Sequence, residues 1–235
     1  KIVMHILLTR PIEDCKDLII KFKNLGHVVS HMPVIKIEKL NYEIKKVSEF
    51  KAIIFTSANA IKYFDTKLID KKILIFCVGE ATERKVRSSG FQNIISAEGN
   101  VNNLKELIIQ NFEPSSGKML YVSGETISNE LDKDLSSHGY TVERIITYSA
   151  QFIENLDENF IQSLKKNIPD IVYIYSANSA ASFLRLIKNY DIGNLWMNTN
   201  LMCISEKTSS VLNEIKWKKI FIFRPGEEEF LLYKI

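Results

Sequence analysis

The 235 residues carry 31 Lys and Arg against 28 Asp and Glu, a formal charge of +3, with 46% hydrophobic and 25% charged residues. This balance, with a mean hydropathy of -0.05, belongs to a globular chain able to bury a core and excludes collagen-like and disordered classes. The charges are scattered and mixed in sign, so no nucleic-acid partner is expected and an acidic small molecule is only slightly favoured over a basic one.

Cys15, Cys77 and Cys203 lie far apart with no Cys-x-x-Cys pair. Neither a disulfide framework nor a zinc ribbon follows, and a reducing cytoplasm fits best. No window reaches the about 18 consecutive apolar residues of a membrane span, and Ile6 to Leu8 is too short for a signal-peptide core. The expectation, unless a leader has been trimmed from the sequence, is a soluble, cytoplasmic, unexported monomer with no membrane contact.

In chain order, the first predicted unit is a strand at Ile6-Leu-Leu-Thr-Arg10, a helix stopping at Lys23-Asn-Leu-Gly26, and a strand at His27-Val-Val-Ser-His-Met32. Glycine in a left-handed cap followed by a β-rich run is a helix stop and a strand start. A second module begins with Ala52-Ile-Ile-Phe and turns at Thr56-Ser57-Ala58-Asn59 into a helix. Ile75-Phe-Cys-Val-Gly79-Glu-Ala-Thr82 and Ile94-Ile-Ser-Ala-Glu-Gly99 follow.

The same order then recurs. Met119-Leu-Tyr-Val-Ser123 takes the place of Ile6 to Arg10, and Ser136-Ser-His-Gly139 leads into Tyr140 to Ile145. Ile171-Val-Tyr-Ile-Tyr-Ser176-Ala177-Asn178 aligns without gaps to the segment from Ala52. Leu201-Met-Cys-Ile-Ser205-Glu-Lys207-Thr208 matches Ile75 to Thr82, and Phe221-Ile-Phe-Arg-Pro-Gly226 matches Ile94 to Gly99. Shared turn chemistry in the same order marks an internal duplication.

Each copy therefore offers about five strands alternating with helices, starting near His5, Val28, Ala52, Ile73 and Asn93 in the first. That alternation predicts an α/β protein of two similar flavodoxin-like lobes, each with a parallel five-stranded sheet covered on both faces. In the order 2-1-3-4-5 a ligand sits beyond the carboxyl ends of the strands, at the switch between strands 1 and 3. A cleft between the two lobes is the expected working site.

Candidate groups follow from that geometry. Ser57 and Ser176 stand where a strand becomes a helix, so each can cap the helix or leave nearby amides to meet an anion. Gly79 with Thr82, and Ser205 with Thr208, form a second matched pair of turns. Arg10, before Pro11, can reach a carboxylate or cover a helix face with its stem. Its counterpart in the second copy is Ser123. Tyr148 ends the strand Ile145-Ile-Thr-Tyr opposite Ile35 of the first copy; such a tyrosine packs a sheet edge or donates a proton to a leaving hydroxyl. His27 and His31 alternate on a strand and fit its surface or edge. No dinucleotide, Walker, zinc-protease or serine-hydrolase motif occurs, so no cofactor or metal is expected.

Together, Thr9-Arg10-Pro11, Phe55-Thr-Ser57-Ala58-Asn59-Ala60, Val78-Gly79-Glu-Ala-Thr82, Ser123-Gly124, Gly139-Tyr-Thr-Val-Glu-Arg-Ile-Ile-Thr-Tyr148, Ser176-Ala177-Asn178-Ser-Ala180 and the closing Pro225-Gly-Glu-Glu resemble the uroporphyrinogen-III synthase family. The likeness runs from about Ile6 to Leu232 and is carried by order and spacing. It implies a linear tetrapyrrole substrate, hydroxymethylbilane, closed to a macrocycle with the last ring inverted, water lost and no cofactor. It implies that Tyr148 assists loss of the hydroxyl through an azafulvene and a spiro intermediate. It places Ser57, Ser176, Thr82 and Thr208 against the substrate, and leaves Lys207 to supply charge where Ser123-Gly124 lacks the arginine of many relatives.

The resemblance further implies crossed connectivity. Residues 1–36 and 150–235 would form one lobe and 37–149 the other, joined by two linker strands near Val34 to Leu40 and Ile145 to Phe152. The repeat alone is equally compatible with two contiguous lobes. Two rivals stay open: an exported two-lobed binding protein for a small anion, and a nucleotide-sugar transferase.

Overall fold

The computed structural model describes residues 2–235. In chain order its elements are β1 (His5–Leu8), α1 (Ile12–Asn24), β2 (Val28–His31), β3 (Ile35–Lys39), β4 (Phe50–Phe55), α2 (Ala58–Lys62), β5 (Leu74–Val78), α3 (Glu80–Ser88), β6 (Asn93–Ala97), α4 (Val101–Asn111), β7 (Lys118–Gly124), α5 (Leu131–Ser137), β8 (Val142–Phe152), α6 (Glu158–Lys166), β9 (Ile171–Ile174), α7 (Ala177–Asn189), β10 (Asn200–Cys203), α8 (Glu206–Ser210) and β11 (Lys219–Ile222). Helix starts carry the expected chemistry: Ser57, Asp157, Ser176 and Ser205 each accept a backbone N–H of their own first turn, and Asn100 forms a capping box with Asn103. Helix α1 stops where Gly26 takes φ +89°, a conformation that costs other residues their Cβ clearance.

Two compact units result, Lys1–Lys36 with Gln151–Ile235, and Ile37–Ala150. The first holds a five-stranded sheet in the order β11-β10-β9-β1-β2, every pair parallel. The other sheet has six strands, β3-β8-β7-β4-β5-β6. It departs from the expected five because β3, which the resemblance gave only as a linker, pairs with β8 at the edge. Leu40 N bonds Thr147 O while Ile153 N bonds Val34 O, so partner numbers fall on one strand as they rise on the other. That is the mark of an antiparallel pair.

Strand registers repeat between the two sheets. Ile6 pairs with Val29 as Met119 pairs with Val142, and Ile6 with Ile171 as Met119 with Ala52. Leu201 pairs with Val172 as Ile75 pairs with Ile53. For the last strand the structure corrects the sequence alignment by one residue: Ile94 pairs with Ile75 as Ile220, not Phe221, pairs with Leu201. The extra residue falls between the strand and the following glycine turn, where a loop absorbs it without flipping strand faces.

Near-continuous apolar strands arise because each sheet is covered twice. In the six-stranded sheet Ile53, Phe55, Ile75, Leu120 and Val122 pack on one side with Ile61 of α2, while Ala52, Ile54, Phe76, Met119 and Tyr121 pack on the other with Leu104 of α4 and Leu135 of α5. Burying each such large side chain contributes roughly 1.5–3 kcal/mol before entropy is counted. Among the described residues no helix is long and apolar enough to cross a membrane.

Cys15, Cys77 and Cys203 are buried free thiols. Burial pushes the Cys15 thiol up to about 11 and Cys203 up to about 12, from 9.0. A folded-state value above the unfolded one contributes stability that is complete below about pH 9 and lost as pH rises toward 11–12. Urea unfolding midpoints should therefore fall above pH 9, and Cys203→Ala should flatten that fall.

Candidate functional site

Because the strands of each sheet's parallel core run one way, their carboxyl ends share one edge, and the turns that follow are gathered there. In the six-stranded sheet that edge receives Ser57 after β4, Gly79 after β5, Ser123 and Gly124 at the end of β7, and Tyr148 on β8. Ser57 is extended and its Oγ accepts from Ala60 N at 3.1 Å, starting α2 with Ala58 and Asn59 in the half-buried first turn. Gly79, at φ +89°, starts α3 without a side-chain cap, and Thr82 is buried behind it.

Tyr148 does not end its strand as expected; β8 continues to Phe152. What aims it is a slip of register. Ser123 pairs with Ile146 but Gly124 pairs with Tyr148, which leaves Thr147 as an extra residue, a β-bulge. Two consecutive side chains consequently turn to α2: Thr147 Oγ1 donates to Ala60 O at 3.1 Å, and Tyr148 Oη lies 2.9 Å from Ser57 Oγ. In an unbroken strand they would point to opposite faces.

The Tyr148 ring is seated on Gly124. A Cβ at Gly124 would lie 2.5 Å from Tyr148 Cζ and 2.8 Å from its Oη, closer than atoms can stand. Tyr63 supports the other side, with ring centroids 6.2 Å apart. On the far face of the sheet, Arg144 Nε donates to Ser123 Oγ at 2.8 Å and a terminal nitrogen to the carbonyls of Gly124 and Glu125 at 2.8 and 3.0 Å. Nearby Tyr121 Oη lies 3.1 Å from Thr56 Oγ1, and burial holds that phenol above its usual range.

The five-stranded sheet gathers a different set at its own carboxyl edge. Arg10 follows β1; its guanidinium lies 4.5 Å over the Tyr175 ring, and its carbonyl accepts from His31 Nε2 at 2.6 Å. The Tyr175 hydroxyl donates to Glu228 Oε1 at 2.9 Å, and Tyr173 to Glu228 O at 2.7 Å. Burial first, and the Glu228 charge second, push both phenols well above the ordinary tyrosine range. Ser176 caps α7 through Ser179 N at 3.0 Å, with Ala177 and Asn178 in the first turn. Thr208 is buried, its Oγ1 3.1 Å from Ser205 Oγ, and Lys207 beside it is exposed.

Arg144, Tyr63 and Tyr175 were not singled out by the sequence, Glu228 entered only within the closing Pro225-Gly-Glu-Glu motif, and His31 was read only as a surface or edge residue. Arg144 had one usable signal: it occupies the repeat position of His31, since Tyr121 pairs with Arg144 as Leu8 pairs with His31. The other three act through contacts distant in sequence.

A family model described as uroporphyrinogen-III synthase HemD matches residues 16–227. The chain belongs to the uroporphyrinogen-III synthase family. It is 23% identical over 218 residues to the porphyrin biosynthesis protein HemD of Ruminiclostridium josui, covering 87% of this chain and 42% of that protein. It is 28% identical over 106 residues to the uroporphyrinogen-III synthase of Saccharomyces cerevisiae, covering 42% and 38% respectively. The chain thus spans about two fifths of the length of these curated relatives. Its fold is similar to the crystal structure of uroporphyrinogen-III synthetase from Helicobacter pylori 26695, with a TM-score of 0.67, 19% identity and coverage of 99% and 98%. A mutant uroporphyrinogen III synthase of the extremely thermophilic bacterium Thermus thermophilus gives a TM-score of 0.57 at 13% identity, over 99% and 98% of the chains.

The seat of Tyr148 gives a direct test. Gly124 has no left-handed backbone requirement, so Gly124→Ala acts only through the collision with the ring. It should destabilise the protein by about 1–3 kcal/mol, measured by urea denaturation. In a Tyr148→Ala background the same substitution should cost little.

Proposed function

We propose that the chain is a uroporphyrinogen-III synthase: it cyclises hydroxymethylbilane to uroporphyrinogen III with inversion of the terminal ring and loss of water. The observation that carries this reading is the Tyr148 phenol, turned by the bulge to the carboxyl edge of its sheet and held 2.9 Å from Ser57 Oγ. Family membership supports this reaction, and the geometry offers a group able to serve it.

In this reading each compact unit is a flavodoxin-like lobe. The order β2-β1-β9-β10-β11 supports that for one unit, and β8-β7-β4-β5-β6, with β7 and β8 in the places of β1 and β2, supports it for the other. Tyr148 donates a proton as the hydroxyl leaves, and the electron pair of the broken C–O bond departs with it as water. Cleavage of that bond is helped by the pyrrole nitrogen, which the substrate itself supplies. The protein's part is to hold a flexible chain in a reactive conformation and to stabilise the charge that develops.

A substrate with eight carboxylates calls for charge and polar turns, and each unit has its own. Arg10 and Lys207 offer charge in one, and the turns at Ser176-Ala177-Asn178 and Ser57-Ala58-Asn59 offer polar first turns in both. Gly79 leaves room beside α3. Thr82 and Thr208, being buried, set the first turns of their helices, and Ser123-Gly124 seats the tyrosine. In this reading the protein works in the cytoplasm as a monomer, and its buried free thiols support a reducing compartment.

Freshly prepared hydroxymethylbilane incubated with the protein should give the type III isomer after oxidation and chromatography. Type I alone, the product of unassisted closure, would sink the proposal. Tyr148→Phe should lower kcat by about 10²-fold or more while KM changes little; an unchanged kcat would remove Tyr148 from the chemistry.

A further inference from the structure

We propose that Arg144 is a positioning residue for the Tyr148 phenol, clamping the end of β7 on which the ring is seated. The proposal rests on the reading of Tyr148 as proton donor.

Arg144 makes three bonds to three consecutive residues: Nε to Ser123 Oγ, and one terminal nitrogen to the carbonyls of Gly124 and Glu125. Tyr148 meets the same stretch from its own side. Glu125 N donates to Tyr148 O at 2.9 Å, and Gly124 provides the space under the ring. Arginine and tyrosine, four residues apart on β8, thus grip one short segment from opposite faces. The bulge is what makes this possible, because it turns Tyr148 to the α2 side while Arg144, paired with Tyr121, stays on the other. It also interrupts the ladder at the point where β7 ends, where side chains donate to the terminal carbonyls: Arg144 to Gly124 O and Glu125 O, and Ser123 Oγ to Gly124 O at 2.9 Å. A planar guanidinium can satisfy several acceptors in a fixed geometry, and an ammonium cannot reproduce that fork.

The other unit supplies an independent observation. His31 holds the equivalent register position and bonds the carbonyl of Arg10, at the turn after β1. A carbonyl only accepts, so Nε2 carries the proton. Two unlike side chains tether the same turn in the two copies, which points to the tether as the retained feature. Arg144 as a direct substrate contact fits less well, since Nε and one terminal nitrogen are already committed to protein acceptors.

The test uses the full chain with Arg144→Gln and Arg144→Lys. The glutamine variant should lose about 10- to 100-fold in kcat with KM within about twofold, the pattern of misplaced chemistry, and lysine should restore little. Without substrate, the Tyr148 ¹³Cζ resonance, assigned by its absence in Tyr148→Phe, should shift or broaden in both variants. In a Tyr148→Phe background Arg144→Gln should cost less than about twofold. A raised KM with unchanged kcat, largely rescued by lysine, together with an unmoved tyrosine resonance, would overturn the proposal and make Arg144 a substrate contact. A moved resonance alongside wild-type turnover of Tyr148→Phe would uphold the tether and sink the proton-donor reading. Should Arg144→Gln fail to fold, Ser123→Ala removes one of the three Arg144 bonds, together with the Ser123 Oγ bond to Gly124 O, and should move the same readouts less.

Discussion

Parallel strand pairing is the constraint from which the rest follows. A parallel sheet must be covered on both faces, which demands runs such as Ile53 to Phe55 and Ile171 to Ile174, and it brings the carboxyl ends of its strands to one edge. The chain has little freedom over where its functional turns can lie. It has freedom over what they contain. Here they contain serine caps and a glycine at positive φ, the features on which the proposed substrate site draws.

A duplicated scaffold does not produce a duplicated site. Strand registers match between the two sheets pair by pair, yet the position of Tyr148 is occupied by Ile35 in the other copy. The bulge at Thr147 converts an ordinary edge position into an aimed one. Interrupting the ladder forfeits a hydrogen bond worth about 1 kcal/mol. The bond from Thr147 Oγ1 to Ala60 O and the clamp from Arg144 offset that loss and fix the same segment. Order around the phenol thus comes from contacts that also repair the strand.

The legible parts of this protein are its local ones. Apolar runs, Ser caps and Gly stops depend on a few adjacent residues, so strands, helix starts and the repeat could be read directly from Ile6, Ser57, Ser176, Gly26 and Gly139. The sixth strand could not be placed in a sheet from sequence, because β3 is half polar and its partner lies more than 100 residues away. The aim of Tyr148 was equally hidden. It depends on a one-residue slip against Gly124, and no composition signal marks a slip. Arg144 was missed because two of its three acceptors are main-chain carbonyls about 20 residues earlier, to which sequence patterns are blind.

Tyrosines stand at both carboxyl edges, and they differ in their partners. Tyr175 donates to the Glu228 carboxylate, and burial with that charge keeps its proton in place far above neutral pH. Its ring face carries Arg10, so its service is structural: it ties the C-terminal segment to a cation. Tyr121 is buried against Thr56 and is likewise held in its neutral form. Tyr148 is half-buried and shares its hydroxyl with Ser57, a neutral group that already accepts from Ala60 N. The edge phenols thus differ in the groups that hold them: the Glu228 carboxylate for Tyr175, the Thr56 hydroxyl for Tyr121 and, among its contacts, the Ser57 hydroxyl for Tyr148.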